Sequence, residues 1–545
     1  MVCYDLAKAV AIIYLASVYS VLSQLALAPV YGSTPARLYH QALCSTAVLA
    51  GYVLGSRSSL ISHKGRQFLP TLAFLIPNIQ FLLFPFSSQL GNPTGPLLTE
   101  LLTIAPLIFL SAAASSTVLK PLNLQHYGAI ISELIPPIGG LLFFNLAQTT
   151  AQSAIPLHLD SALFITSFGL QVGLAVLYTV VVPQRLFWVL CTVPVVIFSL
   201  RANVHMPFAY TTARLNSTLQ EVNYSLVDRQ ESLTGYISVL DNMQVGFRAM
   251  RCDHSLLGGH WTHLPSGYNP RVSDPIYAVF TMLESVRLVE PENNGLVKKD
   301  TESNALVIGL GIGTTPAALI QHGIHTTIVE IDPIVYKFAL QYFQFPRNHT
   351  AIIDNAVTFV ETAQRQTQQY DYIVHDVFTG GVEPVDLFTL EFMQGLYALL
   401  KDDGIVAINY AGDLSLPGAG LIVRTIRSVF PQCRIFRENN GLEKSDTDPL
   451  GFTNMVIFCK KSSTAPLTFR APNEDDYLGS QSREAYMYPQ HEIDPKVFDA
   501  AYDTTDQQIL QAGKTRMIEA YHMKNAIGHW NIMRGVLPAK VWENF

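Results

Sequence analysis

The chain has 545 residues, of which 49% are hydrophobic and only 14% charged, against roughly 25% charged in ordinary soluble proteins. A net charge of −7 offers no basic surface for nucleic acid, and six cysteines without zinc or disulfide-framework spacing point to no metal. The length leaves room for several domains, and the missing charge is concentrated before Arg201.

Apolar segments recur at about 6–30, 39–56, 68–88, 97–118, 128–148, 161–182 and 186–200. Most reach the roughly 17–25 residues that cross a bilayer, so residues 1–201 are expected to form a multi-pass membrane domain of six or seven helices. Their Ser, Thr, Gly and Ala content suits close helix contacts in lipid. Glu100 and Glu133 stand near segment ends and are weak candidates for transport residues. Lys8, Arg57, Lys64, Arg66, Lys120 and Arg185 fall on the amino-terminal side, Arg37 and Arg201 on the other, which places the amino terminus in the cytosol. Seven spans then put the remainder across the membrane. The segment Leu186 to Leu200 is short and contains Pro194, and without it six spans leave the remainder cytosolic. Sequons at Asn216, Asn223 and Asn348 favour the lumenal alternative if used. Endomembrane and plasma membrane both remain open.

Residues 202–230 read as a polar linker. A small β region with a connecting helix follows over 231–290: strands Gly235 to Leu240 and Gly246 to Cys252, a tight polar turn over Asp253 to Gly259, and an amphipathic helix from Asp274 to Val289.

Residues 291–463 carry the chemistry. Ala305 to Ile308 is an apolar run too short for a helix and reads as a buried parallel strand. Gly309, Gly311 and Gly313 form a GxGxG turn, Thr315 to Gln321 a helix, and Thr326 to Val329 a second strand ending in Glu330. Glycines at the turn permit a tight bend and close approach of a ligand. The acid at Glu330 suits the two hydroxyls of a ribose. Thr314 replaces the third small residue of a dinucleotide fingerprint, and no Lys or Arg awaits a pyrophosphate. An adenosine ligand such as S-adenosylmethionine is therefore favoured over NAD. Thr350 to Ile353 is a third strand; Asp354 at its end, followed by Asn355 and Ala356, can accept an adenine amino group or cap the helix 356–365. Tyr370 to His375 is the fourth, with Asp376 at its carboxyl end, where ligands of open α/β sheets bind. Thr379-Gly380-Gly381 then forms a loop. Strands at Ile405 to Tyr410 and Met455 to Cys459 complete the sheet, and Cys252, Cys433 and Cys459 are expected as separate buried thiols. The tail 464–545 is expected to dock on this domain, with Trp530 and Trp542, and shows no chemistry of its own.

The β-hairpin region, the Asp-Pro-Ile-Tyr segment ending in Tyr277, the Ile-Gly-Leu-Gly-Ile-Gly turn and Glu330-Ile331-Asp332, in that order, resemble the spermidine synthase family and more closely its fungal membrane-anchored members. The resemblance covers about Glu231 to Lys461. It implies a class I methyltransferase-type Rossmann fold in which Asp376 takes a proton from the attacking amine. It implies S-adenosylmethionine or its decarboxylated form as co-substrate. Candidate substrate contacts are Tyr277, Thr379 and Asp413, and the catalytic half is a candidate for homodimer formation. The polyamine pocket departs from the family: Thr379 stands where a second Asp is expected, Thr234-Gly235 replaces a Tyr-Gln pair, and Asp446 and Asp448 precede Gly451-Phe452 where an aromatic residue is expected. Glu383, Asp413 and these two acids are an alternative cation site or, as usual for loop acids, simply solvated.

The expectation is thus a membrane-anchored transferase moving an aminopropyl group to a small-molecule amine. The alternatives are a methyltransferase acting on a lipophilic or secondary-metabolite substrate, and a transporter with a nucleotide-sensing Rossmann half.

Overall fold

A computed structural model describes residues 2–119, 129–160, 162–182, 184–291, 298–377, 380–438, 452–462, 464–500 and 508–545. The chain forms two compact units, Met1–Ile237 with Cys252–His254 and Arg534–Phe545, and Ser238–Arg251 with Ser255–Met533.

The first unit holds α1 (Val2–Tyr31), α2 (His40–Arg57), α3 (Ser59–Leu83), α4 (Thr94–Leu102), α5 (Ile104–Leu119), α6 (Ala129–Ala154), α7 (Ser167–Val181) and α8 (Leu186–Ala202). Tyr4–Tyr31, Lys64–Leu90 and Thr94–Leu119 are long and apolar enough to cross a membrane, and α7 and α8 are shorter apolar helices. Small residues set the packing. A Cβ on Gly51 would stand 2.3 Å from the Phe109 carbonyl oxygen, and one on Gly55 2.5 Å from Ala113 Cα, so α2 and α5 touch backbone to backbone. The buried Glu100 carboxylate pairs with His40 Nδ1, while the Gln148 amide contacts His40 Nε2 at 3.0 Å. Glu133 is exposed. The expected linker is structured: α9 (Ala209–Gln220) leads into β1 (Tyr224–Ser232). The tail is divided, because Arg534–Phe545 belongs to this unit, where Trp542 is fully buried.

From β1 the chain runs through a sheet of order β1-β2-β3-β4, with β2 at Gly235–Asn242, β3 at Phe247–Cys252 and β4 at Ser255–Trp261. The expected polar turn over Asp253 to Gly259 is mostly strand β4. The expected long helix after Asp274 is only α10 (Ala278–Leu283) followed by a 3-10 turn to Leu288.

The second unit is built on an eight-stranded sheet of order β12-β10-β11-β9-β8-β5-β6-β7. Its strands are β5 (Asn304–Ile308), β6 (His325–Glu330), β7 (Thr350–Ile353), β8 (Tyr370–His375), β9 (Leu400–Asp413), β10 (Gln432–Arg437), β11 (Phe452–Lys460) and β12 (His491–Ile493). β9 through β7 run parallel, and β11, β10 and β12 add antiparallel neighbours. The parallel core is apolar on both faces because α11 (Thr314–Gln321), α12 (Pro333–Tyr342), α13 (Ala356–Arg365), α14 (Leu390–Leu399) and α15 (Pro417–Val429) cross over between strands. Ile308, Ile373, Leu396, Ile408 and Ile422 are buried together, each such side chain contributing about 1.5–3 kcal/mol. The neighbours of β5 are β6 and β8, so the strand order reverses beside β5, and the crevice above its carboxyl end is the place for a ligand.

Cys433 and Cys459 are not separate thiols. They face each other across β10 and β11 and form a disulfide, a pairing of residues 26 apart in sequence that only the strand register brings together.

Candidate active site

The glycine turn is held by the protein around it. Gly309 has φ +86°, and a Cβ there would lie 2.0 Å from the Asp376 carbonyl oxygen. Gly311 has φ +55°, with the Leu257 carbonyl 2.4 Å from the same imagined atom, and Gly313, φ +87°, abuts the Phe345 ring. The left-handed backbone is the region glycine adopts without cost. Here the atoms that exclude a Cβ belong to β4, the end of β8 and the segment after α12, so the turn is pre-shaped before a ligand arrives.

Glu330 ends β6 and is buried. Its Oε2 accepts the Leu310 amide of the glycine turn at 2.9 Å, and Oε1 accepts the Asp332 amide at 2.9 Å. Burial pushes its carboxyl up to about 7, against the opposing pull of these amides. Each oxygen keeps a lone pair for a hydroxyl. Asp332 caps α12, accepting the Ile334 amide at 2.8 Å. Asp354 is exposed at the end of β7, its Oδ1 accepting the Asn355 amide at 2.7 Å. The cap of α13 is Asn355, whose side chain accepts the Val357 amide, with Ala356 buried behind it. Asp354 is therefore not the helix cap, and its second oxygen stays available to a ligand.

Asp376 stands one residue past β8, its amide bound to the Ile308 carbonyl at 2.8 Å. Asn409 on β9 donates to Asp376 Oδ1 at 2.8 Å. Burial raises the carboxyl to about 6, and the Asn409 bond acts in the opposite direction. Asn409 is itself buried, and its Oδ1 has no partner among the described residues. The pair offers a carboxylate that can take a proton near neutral pH, oriented by a buried amide. The adjacent His375 is held neutral by burial, down to about 4, and packs against Phe388 and Phe392.

Tyr277 and Asp413 fare differently as substrate contacts, and Thr379 lies outside the described residues, as do Asp446, Asp448 and Gly451. Tyr277 precedes α10, whose Phe280 carbonyl accepts the Thr315 hydroxyl of α11 at 3.0 Å. Its segment therefore lies alongside the glycine-turn helix. Asp413 turns its Oδ1 to the Ser415 amide at 3.0 Å, as a turn-capping acid does.

The tail contributes what the sequence reading missed. After α16 (Gln481–Tyr486), helix α17 (Arg516–Val536) meets the loop after Asp376, at Gly381. A Cβ on Gly381 would stand 2.4 Å from His529 Cβ. Asn525 donates to Glu383 Oε1 at 3.3 Å and accepts the Asp413 amide at 3.1 Å. Glu383 is buried, accepts the Tyr410 hydroxyl at 2.6 Å and lies 3.3 Å from His522 Nε2. Glu383 is thus no solvated loop acid. It ties β9, the loop and α17 together. The only sequence signal was a polar His522/Asn525/His529 stripe at helical spacing.

A family model, the spermine/spermidine synthase domain, matches residues 293–436. The N-terminal histidine N-methyltransferase of Emericella nidulans is 48% identical over 545 residues, spanning 98% of this chain and 96% of that protein. A polyamine aminopropyltransferase of Vibrio vulnificus is 35% identical over 119 residues, 21% of this chain and 40% of that enzyme. Among solved structures, a probable spermidine synthase from Corynebacterium glutamicum superposes with a TM-score of 0.39 at 14% identity, covering 53% of this chain and 96% of that one. The family resemblance read from the motifs is met, and S-adenosylmethionine is the co-substrate. Of the two transfers considered, the near-full-length relative backs methyl transfer and not aminopropyl transfer.

Proposed function

Since this chain belongs to the family of the Emericella nidulans N-terminal histidine N-methyltransferase, we propose that it moves the methyl group of S-adenosylmethionine to a nitrogen of the amino-terminal histidine of a peptide or protein. The reading is supported above all by one arrangement, the Asp376 carboxylate just past the end of β8 and bound to Asn409 of β9, whose buried carbonyl oxygen has no partner among the described residues. Thr379, in place of an amine-holding Asp, agrees with an acceptor other than a polyamine.

In this reading the 309–313 turn and α11 hold the methionine-adenosyl portion, Glu330 accepts the ribose hydroxyls, and Asp354, with Asn355 and Ala356, borders the adenine. A neutral histidine nitrogen attacks the methyl carbon in line with the departing sulfur. The C–N bond forms, and the C–S bond breaks with its electron pair going to sulfur, leaving an uncharged thioether. The acceptor becomes cationic and gives one proton to Asp376. A carboxyl raised to about 6 is matched to an imidazole for that exchange. Asn409 fixes the orientation of the carboxylate through its amide N–H.

The test incubates the full chain with S-adenosylmethionine and peptides beginning with histidine, with acetylated histidine, or with another residue before histidine. Methylation confined to free amino-terminal histidine is expected. Aminopropylation of a polyamine from the decarboxylated donor, with the histidine peptides untouched, overturns the reading.

A further inference from the structure

We propose that Asn348 is an N-glycosylation site and that the second unit occupies an oxidising compartment across a membrane from the amino terminus. Four observations converge. The Cys433–Cys459 disulfide joins two strands of the second unit, and such bonds persist where thiols are not kept reduced. It is not part of the site: Cys459 is opposite Val406, seven residues along β9 from Asp413, and neither cysteine bonds to Asp376 or Asn409 among the described residues. A catalytic or transient role is therefore not what holds the pair together.

Asn348-His349-Thr350 is a sequon in the second unit, with Asn348 and Thr350 both exposed. It leads into the start of β7, the end opposite Glu330, Asp354 and Asp376, so a glycan there leaves the crevice open. The sequon at Asn216 differs, because the Asn216 carbonyl oxygen accepts the Leu226 amide at 2.9 Å and the side chain is half-buried.

The span count agrees. The sequence has seven apolar segments, an odd number; in the structure three helices are long and apolar enough to cross and two more are shorter apolar helices. Leu186–Ala202 is one continuous helix despite Pro194, with Arg201 in its last turn. After Ala202 no described helix qualifies as a span. Counted over these seven segments, Lys and Arg place the amino terminus on the cytosolic side, and seven crossings send the rest to the other side.

The modification needs an oligosaccharyl diphospholipid. The Asn348 amide nitrogen bonds to the anomeric carbon, the C–O bond to the diphosphate breaks with its electron pair, and the amide loses one proton. The disulfide forms as two thiols lose two electrons and two protons to a disulfide-exchange partner, which is reduced to its dithiol.

The experiment uses the full chain in its own membranes. Peptide mapping after amidase deglycosylation is expected to find aspartate at position 348, with the glycan shift absent in N348Q and equally in Thr350→Ala. Cys433 and Cys459 are expected to resist maleimide in the denatured, unreduced chain while Cys252 reacts. Recovery of Asn348 only in unmodified form overturns the proposal, and so does maleimide capture of Cys433 and Cys459 without reductant. Neither readout depends on the acceptor that the enzyme methylates.

Discussion

Gly309 and Asp376 are in contact through their backbones: a Cβ on the glycine would lie 2.0 Å from the Asp376 carbonyl oxygen. The glycine turn and the proposed proton acceptor are thereby set against one another by two neighbouring parallel strands. Gly309→Ala would have to displace the end of β8 and adopt φ +86°, a conformation costing about 1–2 kcal/mol by itself. We expect loss of donor binding and a lower melting temperature. Gly380→Ala, with φ +57° but open space around it, should cost only that conformational increment. Calorimetric titration with S-adenosylmethionine beside thermal melts separates the two.

Asp376→Asn should lower kcat on the order of 10²–10⁴-fold and leave donor affinity nearly unchanged. Because burial raises this carboxyl from 3.8 to about 6, the folded state is penalised when it ionises: the favourable contribution is present below pH about 4 and is lost as pH rises through about 6. The amide variant should therefore be slightly more stable at neutral pH, on the order of 1 kcal/mol. A variant both inactive and destabilised would contradict a role at the reacting atoms.

The pH profile gives a second check. A base with pKa near 6 predicts kcat/KM falling below pH about 6. Asn409→Ala removes the hydrogen bond that favours the ionised form, so the acid limb should move to higher pH. A purely structural Asn409 would change the amplitude and leave the limb in place.

Glu330 should couple donor affinity to pH. Its carboxyl sits at about 7, so affinity for the ribose hydroxyls should rise as pH rises through about 7. Glu330→Gln replaces an acceptor of the Leu310 or Asp332 amide by an NH₂ group. The unpaired amide costs about 1–3 kcal/mol, read as weaker S-adenosylmethionine binding by titration.

Asn525→Ala should destabilise the second unit by about 1–3 kcal/mol, because it leaves the Asp413 amide without its acceptor and removes one of the hydrogen bonds to Glu383. As α17 lines the loop after Asp376, we expect acceptor KM to rise more than donor Kd, measured by steady-state kinetics with each substrate varied.

Much of this was legible in the residues. An apolar run of strand length, three glycines and an acid at the next strand end can satisfy their backbone and charge in few ways, so Gly309, Gly311, Gly313 and Glu330 mark the crevice from local chemistry, while Asp376 takes its expected role from the family resemblance. The long apolar segments before Arg201 likewise declare helices by length and composition. What tertiary structure decided is what distant chain segments share. The Cys433–Cys459 bond follows from the register of β10 on β11, the Asn409 bond to Asp376 from the pairing of β9 with β8, and the Glu383–Asn525 link from the docking of a tail helix. The first two leave no periodic trace and the third only a polar stripe on its helix, because each depends on one side chain meeting another far along the chain, at a distance that only the packed sheet and its covering helices set.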